Sequence, residues 1–309
     1  MIILFGAGVE CQVRLHYMVN DIDEAFGSYL SCRIAWAAGV ALGAWVAGGI
    51  SGAHLNPAVT VALAAWRRFP RHKIASYIAA QVLGCTFGAF VVYYLYHDSI
   101  ALFEDGARHS VLGPRATAGL FFTFPSPLIS LATAYLTELI ATATLLFLVM
   151  AFGDKGNWAL SQGSLPIGLF LAVLAIGSAL GFNTGYALNP ARDLGPRIAL
   201  TFLGYGSEIW THDYAYWFFG PGVAPIAGGV LGVFLYDAFL YTGEESLVNA
   251  RYVTLLTQCG AVHCAAHRRG PGARPPVGPR LSAHGPLILS RAAALREWNR
   301  AGHDCRAEG

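Results

Sequence analysis

The chain has 309 residues, of which 55% are hydrophobic and 12% are charged, and its formal net charge is +2. A soluble globular chain carries about twice that share of charged residues, so the composition indicates a membrane protein with several spans. The small net charge, and the lack of any stretch that combines basic with stacking aromatic residues, argue against a nucleic-acid partner.

Apolar runs along the chain predict its helices. A crossing of ~30 Å of hydrocarbon takes ~20 mostly apolar residues in a helix. Such runs lie near residues 29–50, 74–97, 130–152, 165–183 and 215–241. A sixth run, at 1–15, is too short for a full crossing. Two further segments, at about 57–66 and 190–200, begin with proline and extend over only ~10 residues, or ~15 Å of helix. We expect these two to meet end to end and to make one crossing together.

Basic residues predict the orientation of the chain. Four of them lie between positions 67 and 73, after the first short segment, and basic loops face the cytoplasm. Segment 98–129 then becomes an external loop between two halves, about 1–97 and 130–241. We expect residues 1–245 to form the membrane domain and residues 246–309 to form a disordered cytoplasmic tail. The expected location is the plasma membrane.

The two halves repeat each other. His54-Leu-Asn-Pro-Ala-Val-Thr60 in the first half matches Ala187-Leu-Asn-Pro-Ala-Arg-Asp193 in the second. Each half holds three spans and one short helix, and because three is odd the second copy enters the membrane upside down. The sequence therefore predicts an all-α membrane protein built as an inverted repeat, with its binding path where the two copies meet.

Each short helix begins at an Asn-Pro-Ala triplet. The triplets are Asn56, Pro57 and Ala58 in the first half and Asn189, Pro190 and Ala191 in the second. Asparagine is a strong N-cap, and proline suits the first helical position. Two helix starts that face each other, each with roughly half a positive charge, would repel protons and cations but not neutral solutes. A lone Asn-Pro is usually a capped turn, but its duplication at symmetric positions favours a functional interpretation.

Two charged residues are expected at membrane depth. Arg192 lies in the first turn of the second short helix, where a cation opposes the helix dipole, so a functional role is favoured over snorkelling to headgroups. Glu138 lies inside the fourth span, where an ionisable group is costly. No second acid is recognised within a span, which argues against a proton relay.

The paired motifs resemble the signatures of the major intrinsic proteins, the aquaporin family. They read Ser51-Gly-Ala-His-Leu-Asn-Pro-Ala-Val-Thr60 and Gly185-Tyr-Ala-Leu-Asn-Pro-Ala-Arg-Asp-Leu-Gly-Pro-Arg197. Tyr236-Asp-Ala-Phe-Leu-Tyr-Thr-Gly243 is similar to fungal members. The resemblance covers residues 1 to about 245. It implies an aquaporin-like inverted repeat of six transmembrane helices and two half-helices meeting at the midplane, and a homotetramer with one pore per subunit.

The resemblance also implies a selectivity filter, formed by Trp36, Gly177, Tyr186 and Arg192. Water-only members have histidine at the position of Gly177, so glycine is expected to leave room in the pore. Trp36 and Tyr186 would face the carbon chain of glycerol, and Arg192 its hydroxyl groups. Asp193 resembles the residue of glycerol-conducting members. It is expected to shape a neighbouring loop or simply to suit the helix start.

The loops before the two short helices are expected to line the path with backbone carbonyls, as in the family. The residues concerned are Gly52, Ala53, His54, Asn183, Thr184 and Gly185. Glycines at 49, 52, 181 and 185 would allow the backbone angles that such loops need. By resemblance, Glu138 accepts hydrogen bonds from one of these loops. The chain opens on a segment that resembles the middle of the family's first helix, so we expect a truncated first helix that lacks its cytoplasmic half and the glutamate that is the symmetry mate of Glu138.

The predicted function is a passive channel for glycerol, water and similar small polyols that excludes protons and ions. We expect no cofactor, no metal and no enzymatic activity. Two alternatives stay open: a secondary transporter with an inverted-repeat fold, which would need paired acids within the membrane, and a structural membrane protein with an incidental pore.

Overall fold

The computed structural model describes residues 1–19, 26–106, 109–243, 246 and 248. Apart from positions 246 and 248, the predicted cytoplasmic tail, 246–309, lies outside these residues. The chain divides after Val233, within the last helix of the described residues. On the far side of that division, the Ser246 hydroxyl donates to Asp237 Oδ2 over 2.7 Å.

Regular structure in the described ranges is helical throughout. The α-helices are α1 (Ile2–Val19), α2 (Tyr29–Ser51), α3 (Pro57–Trp66), α4 (Ile74–Leu95), α5 (His97–Glu104), α6 (Leu131–Gly153), α7 (Leu165–Leu180), α8 (Pro190–Phe202), α9 (Glu208–Phe218) and α10 (Ala224–Phe239). Residues 212–215 leave the helical conformation inside α9, and a π-helical turn, Phe219–Val223, joins α9 to α10.

Four helical segments of the described residues are long and apolar enough to cross a membrane. They are Tyr29–Ser51, Arg71–Leu95, Leu131–Gly153 and Glu208–Phe239. α7, with 16 residues, is shorter. α1 has 18 residues, because the helix continues through Arg14 and His16 instead of ending near residue 15. Its length of roughly 27 Å approaches the thickness of the hydrocarbon layer.

α3 and α8 are the two predicted short helices, and each begins at its Asn-Pro-Ala triplet. Asn56 Oδ1 accepts from the amide of Ala58 at 2.8 Å. Asn189 Oδ1 accepts from the amides of Ala191 at 3.0 Å and Arg192 at 3.3 Å. A proline stands at the first helical position of each. Asparagine caps and prolines thus start both helices as the sequence predicts.

The loops that lead into α3 and α8 have the same backbone conformation. Gly52 and Gly185 have φ of 74° and 73°. The next residue and the third one along also have positive φ in both loops: Ala53 at 48° and Leu55 at 57°, then Tyr186 at 43° and Leu188 at 54°. Residues with side chains rarely adopt such angles, so their repetition in both halves indicates a constraint imposed by function.

Two of the glycines predicted to permit these loops do not adopt a backbone conformation that requires glycine. Gly49 lies within α2, and Gly181 has φ of −75°, which any residue adopts. A Cβ at Gly181 would instead collide with the Tyr29 hydroxyl. Glycine is therefore needed there for close packing and not for its backbone freedom.

Small residues bring neighbouring helices close together. A Cβ at Gly195 of α8 would stand 2.8 Å from the amide nitrogen of Thr86 in α4, and the Thr86 hydroxyl donates to the carbonyl of Gly195 over 3.1 Å. Gly228 and Gly232 of α10 approach the backbone of α6 just as closely. Such contacts are typical of helix packing in membranes.

The predicted connecting loop, 98–129, contains regular structure. It includes most of α5 and a short 3₁₀ turn, Ala118–Leu120. Glu104, at the end of α5, is buried. It accepts from the Thr117 hydroxyl at 2.5 Å and from the amide of His109 at 3.0 Å. One buried carboxylate therefore folds this segment back on itself.

Candidate functional site

A cavity of about 250 Å³ contains both helix starts. Predicted site residues in its lining are Trp36, Gly52, Ala53, His54, Asn56, Tyr186, Asn189 and Arg192. The rest of the wall is largely apolar, with Val40, Leu63, Val149 and Leu169 among its residues. A small number of polar groups in an otherwise apolar wall can guide a small neutral molecule without binding it tightly.

The two asparagines join the halves of the chain. The Asn56 Nδ2 group donates to the carbonyl of Leu188 over 2.8 Å, and the Asn189 Nδ2 group donates to the carbonyl of Leu55 over 2.8 Å. Each amide has two N–H groups, so one remains for a molecule in the cavity. The starts of α3 and α8 are thus hydrogen-bonded to each other's loops, and each contributes partial positive charge at the same place.

Arg192 lies against Trp36 in the wall of the cavity. Its Cζ atom is 3.9 Å from the centroid of the Trp36 ring, a cation–π geometry. One Nη1–H donates to the carbonyl of Phe121 over 3.2 Å. A guanidinium has five N–H donors, so others are available to a solute. Arg192 therefore combines with an aromatic face to make a wall that is polar on one side and apolar on the other.

Gly177 makes room for Tyr186. A Cβ at Gly177 would stand 2.8 Å from two carbons of the Tyr186 ring, and the lining of the cavity includes Tyr186 and not Gly177. The expectation that glycine leaves open space in the pore therefore needs correction. The aromatic ring of Tyr186 fills the space that the glycine provides.

Glu138 holds the loop before α8. This buried carboxylate accepts from the Thr184 hydroxyl at 2.6 Å and from the amides of Ala187 at 2.8 Å and Leu188 at 2.9 Å. Three donors at membrane depth are thereby satisfied by one side chain. The contacts match the supporting role that the resemblance implies for Glu138.

The two loops do not contribute to the cavity equally. Gly52, Ala53 and His54 line it, whereas in the loop before α8 the lining begins only at Tyr186 and leaves out Asn183, Thr184 and Gly185. The carbonyl of Asn183, predicted to face the path, accepts from the amide of Ser126 over 2.8 Å. Thr184 points its hydroxyl at Glu138. The connecting segment between the halves therefore supports the second loop.

Asp193 lies at the centre of a buried network. Its Oδ2 accepts from the amide of Thr123 at 2.8 Å and from the hydroxyl of Thr123 at 2.6 Å. Its Oδ1 accepts from Arg197 Nε at 2.5 Å, and Arg197 donates to the carbonyls of Thr123 and Ile209. Since Phe121, which accepts from Arg192, is two residues from Thr123, this network shapes the loop that holds Arg192.

Sequence reasoning missed an ion pair next to these residues. Glu10 of α1 accepts from Arg33 Nη2 at 2.6 Å and from the indole Nε1–H of Trp36 at 3.2 Å. The Arg33 Cζ atom also lies 4.6 Å from the centroid of the Tyr186 ring. The expectation that no second acid lies in a membrane helix was therefore wrong. No spacing in the sequence links positions 10 and 33, because the pairing arises from the packing of α1 against α2.

Half-helices that meet start to start beside a narrow, largely apolar cavity define a membrane channel for small molecules. The family model of the major intrinsic proteins matches residues 1–236, and the chain belongs to that family. Members of the family are channels for water and small solutes and not enzymes. The fold is therefore the aquaporin fold that the sequence predicts, and Asn-Pro-Ala motifs and tetramers are typical of the family.

Several known proteins are similar over most of the chain. Aquaporin-7-1 of Laccaria bicolor is 45% identical over 251 residues, which are 81% of this chain and 75% of the relative. Aquaglyceroporin-2 of Rhizophagus irregularis is 42% identical over 249 residues, with coverages of 81% and 76%. The X-ray structure of the aquaglyceroporin from Plasmodium falciparum matches with a TM-score of 0.65 and 32% identity, covering 76% of this chain and 90% of that one.

Proposed function

We propose that the protein is a passive channel for glycerol that also conducts water and similar small polyols, and that excludes protons and ions. The observation that carries the proposal is the arrangement of Arg192 against Trp36, with Tyr186 in the same cavity wall. Glycerol has a carbon chain on one side and hydroxyl groups on the other. Aromatic faces suit the first, and the guanidinium donors of Arg192 suit the second.

The pairing of Gly177 with Tyr186 supports a polyol over water alone. The wall at this point is a large aromatic ring, where a histidine side chain would add polar groups. Such a wall suits carbon atoms better than water molecules. Relatives point both ways, because the Rhizophagus and Plasmodium proteins are called aquaglyceroporins and the Laccaria proteins are called aquaporins.

Ion exclusion is proposed to come from Asn56, Asn189 and Arg192 together. The two asparagines cap helix starts that point positive charge at one place. The positive side chain of Arg192 lines the same cavity. A cation would meet three sources of positive potential with few compensating oxygens, whereas a neutral polyol would receive hydrogen bonds from the free amide N–H groups.

The arrangement in the cell is also proposed. The basic segment 67–73 supports a cytoplasmic location for that loop, and with it for the tail, 246–309. We infer a homotetramer in the plasma membrane, with one pore in each channel domain of residues 1–245. Cross-linking of the purified protein in detergent should give a four-subunit ladder, and a predominant monomer would contradict the tetramer.

A counterflow assay tests the proposed function against a carrier. Proteoliposomes that contain the full chain should take up labelled glycerol at a rate proportional to its concentration, because a pore has no slow reorientation step. Preloading the vesicles with unlabelled glycerol should not accelerate uptake. Saturation together with acceleration by preloaded glycerol would overturn the proposal of a pore. Uptake no faster than in empty liposomes would overturn glycerol as the substrate.

A further inference from the structure

A partly buried ion pair lies beside the proposed filter. The side chains of Glu10 and Arg33 are only 18% and 6% exposed, and their Oε1 and Nη2 atoms are 2.6 Å apart. Neither residue belongs to the Asn-Pro-Ala motifs or to the filter positions. Glu10 lies in α1 and Arg33 in α2, which is long and apolar enough to cross a membrane. An ionisable group at membrane depth is a candidate for function by default.

Each member of the pair contacts one aromatic side chain of the filter. Glu10 Oε1 accepts the indole N–H of Trp36 over 3.2 Å. The guanidinium of Arg33 lies over the face of Tyr186, 4.6 Å from the ring centroid, and over Tyr29 at 4.2 Å. The Tyr29 hydroxyl in turn donates to the carbonyl of Gly177 over 2.9 Å. The pair is therefore connected to both aromatic walls of the cavity and to the glycine behind Tyr186.

The arrangement is a poor way to gain stability. Withdrawing charges from water is costly, and an ion pair in a partly buried place often stabilises a protein no better than apolar residues of the same volume. The buried Nε–H of Arg33 has no hydrogen-bond partner among the described residues, so the hydrogen-bonding capacity of the pair is not fully used. Its specific contacts with Trp36 and Tyr186 give a better reason for its presence.

We propose that Glu10 and Arg33 are positioning residues that fix the two aromatic walls of the filter, Glu10 through Trp36 and Arg33 through Tyr186. By holding these rings, the pair fixes the width of the filter and with it the preference for glycerol over a larger polyol. Without it, the rings gain freedom and the filter discriminates less between glycerol and a four-carbon polyol. The inference rests on the proposed function, because it assumes that Trp36 and Tyr186 contact a passing polyol.

The test compares glycerol and erythritol permeability in proteoliposomes of the full chain. Glu10→Ala and Arg33→Gln should each lower the glycerol-to-erythritol ratio about threefold to tenfold, which corresponds to about 0.6–1.4 kcal/mol and lies within the range of one ordinary hydrogen bond. Asp105→Asn is the matched control. It breaks an exposed ion pair, Asp105 with Arg115 at 3.0 Å, and should leave the ratio unchanged.

A double-mutant cycle separates positioning from a general loss of structure. Phenylalanine has no indole N–H that Glu10 could accept. In a Trp36→Phe background, Glu10→Ala should therefore lower the glycerol-to-erythritol ratio by a factor about three times smaller than in the wild-type background. The doubly neutral variant, Glu10→Gln with Arg33→Gln, keeps an oxygen that can accept from Trp36 and leaves no lone charge. It should recover part of the ratio. A purely structural defect would show neither the coupling nor the rescue.

The outcomes distinguish this inference from the proposed function. A wild-type protein that does not conduct glycerol, or a Trp36→Phe variant with an unchanged ratio, would refute the filter itself. A sensitive Trp36→Phe variant combined with unchanged ratios in Glu10→Ala and Arg33→Gln would refute only the positioning pair. If Glu10→Ala does not fold, Arg33→Lys decides, because it keeps the charge opposite Glu10 but loses the planar contact with Tyr186. An unchanged ratio in that variant would overturn the proposal.

Discussion

Replacing Gly177 by alanine should lower glycerol permeability far more than water permeability. The new Cβ would stand 2.8 Å from two carbons of the Tyr186 ring, whereas ordinary van der Waals contact begins at 3.4 Å. Tyr186 is buried, and the guanidinium of Arg33 lies over its face. The ring therefore has little room to move except into the cavity that it lines.

The size of the effect follows from the cost of overpacking. Adding a methyl group to a tightly packed site costs about 1–3 kcal/mol. If about 1.4 kcal/mol of that cost is added to the barrier for glycerol, its permeability falls about tenfold. Water is smaller than glycerol and should be slowed less. Gly177→His inserts a larger side chain at the same place, so its effect on glycerol should be at least as large.

Stopped-flow light scattering on proteoliposomes gives both permeabilities from one preparation. Gly48→Ala is the matched control, because Gly48 is also a helical glycine and a Cβ there would meet no atom within 4 Å. It should leave both permeabilities unchanged. Equal proportional losses of glycerol and water flux in Gly177→Ala, or no loss of either, would refute the role of the Gly177 and Tyr186 contact in selectivity.

Three further substitutions test other parts of the site. Arg192→Val should let protons or cations leak through while glycerol still passes. A pH-sensitive dye inside proteoliposomes would show the leak. Vesicles as ion-tight as wild type would mean that the two helix starts exclude ions without Arg192. Asp193→Ala removes the partner of buried Arg197 and should destabilise the protein by about 3–5 kcal/mol. The loss should appear as a lower melting temperature in detergent, and an unchanged melting temperature would contradict the stabilising role of this network. Glu138→Gln replaces one acceptor oxygen with a donor. It should lower the stability of the protein by about 1–3 kcal/mol for each amide left without an acceptor, such as that of Leu188. Wild-type yield and melting temperature would show that other groups accept from the amides of this loop.

The helices and the repeat were readable from sequence because each has a local signal. Apolar length predicts the spans, and Asn56-Pro57 and Asn189-Pro190 predict where α3 and α8 begin. The cross-bonding of each asparagine to the opposite loop follows from the inverted repeat once the helix starts meet.

Contacts between distant segments were not readable in this way. No local pattern joins Glu10 to Arg33, or Thr123 to Asp193, because these pairs form only when helices and loops pack together. Gly177 was recognised by resemblance, but the sequence does not show that the Tyr186 ring occupies the space beside it. The small size of Gly177 was evident from the sequence, but which neighbouring side chain fills the space beside it was not.

Osmotic stopped-flow measurements with glycerol and sorbitol test the central claim most directly. In proteoliposomes of the purified full chain, a glycerol gradient should cause rapid shrinkage through water efflux, followed by re-swelling much faster than in empty liposomes as glycerol enters. A sorbitol gradient should cause the same rapid shrinkage without re-swelling, because sorbitol is twice as long as glycerol and we expect the filter to exclude it. Re-swelling in glycerol no faster than in empty liposomes, despite rapid shrinkage, would show a water channel and contradict the assignment of glycerol as substrate.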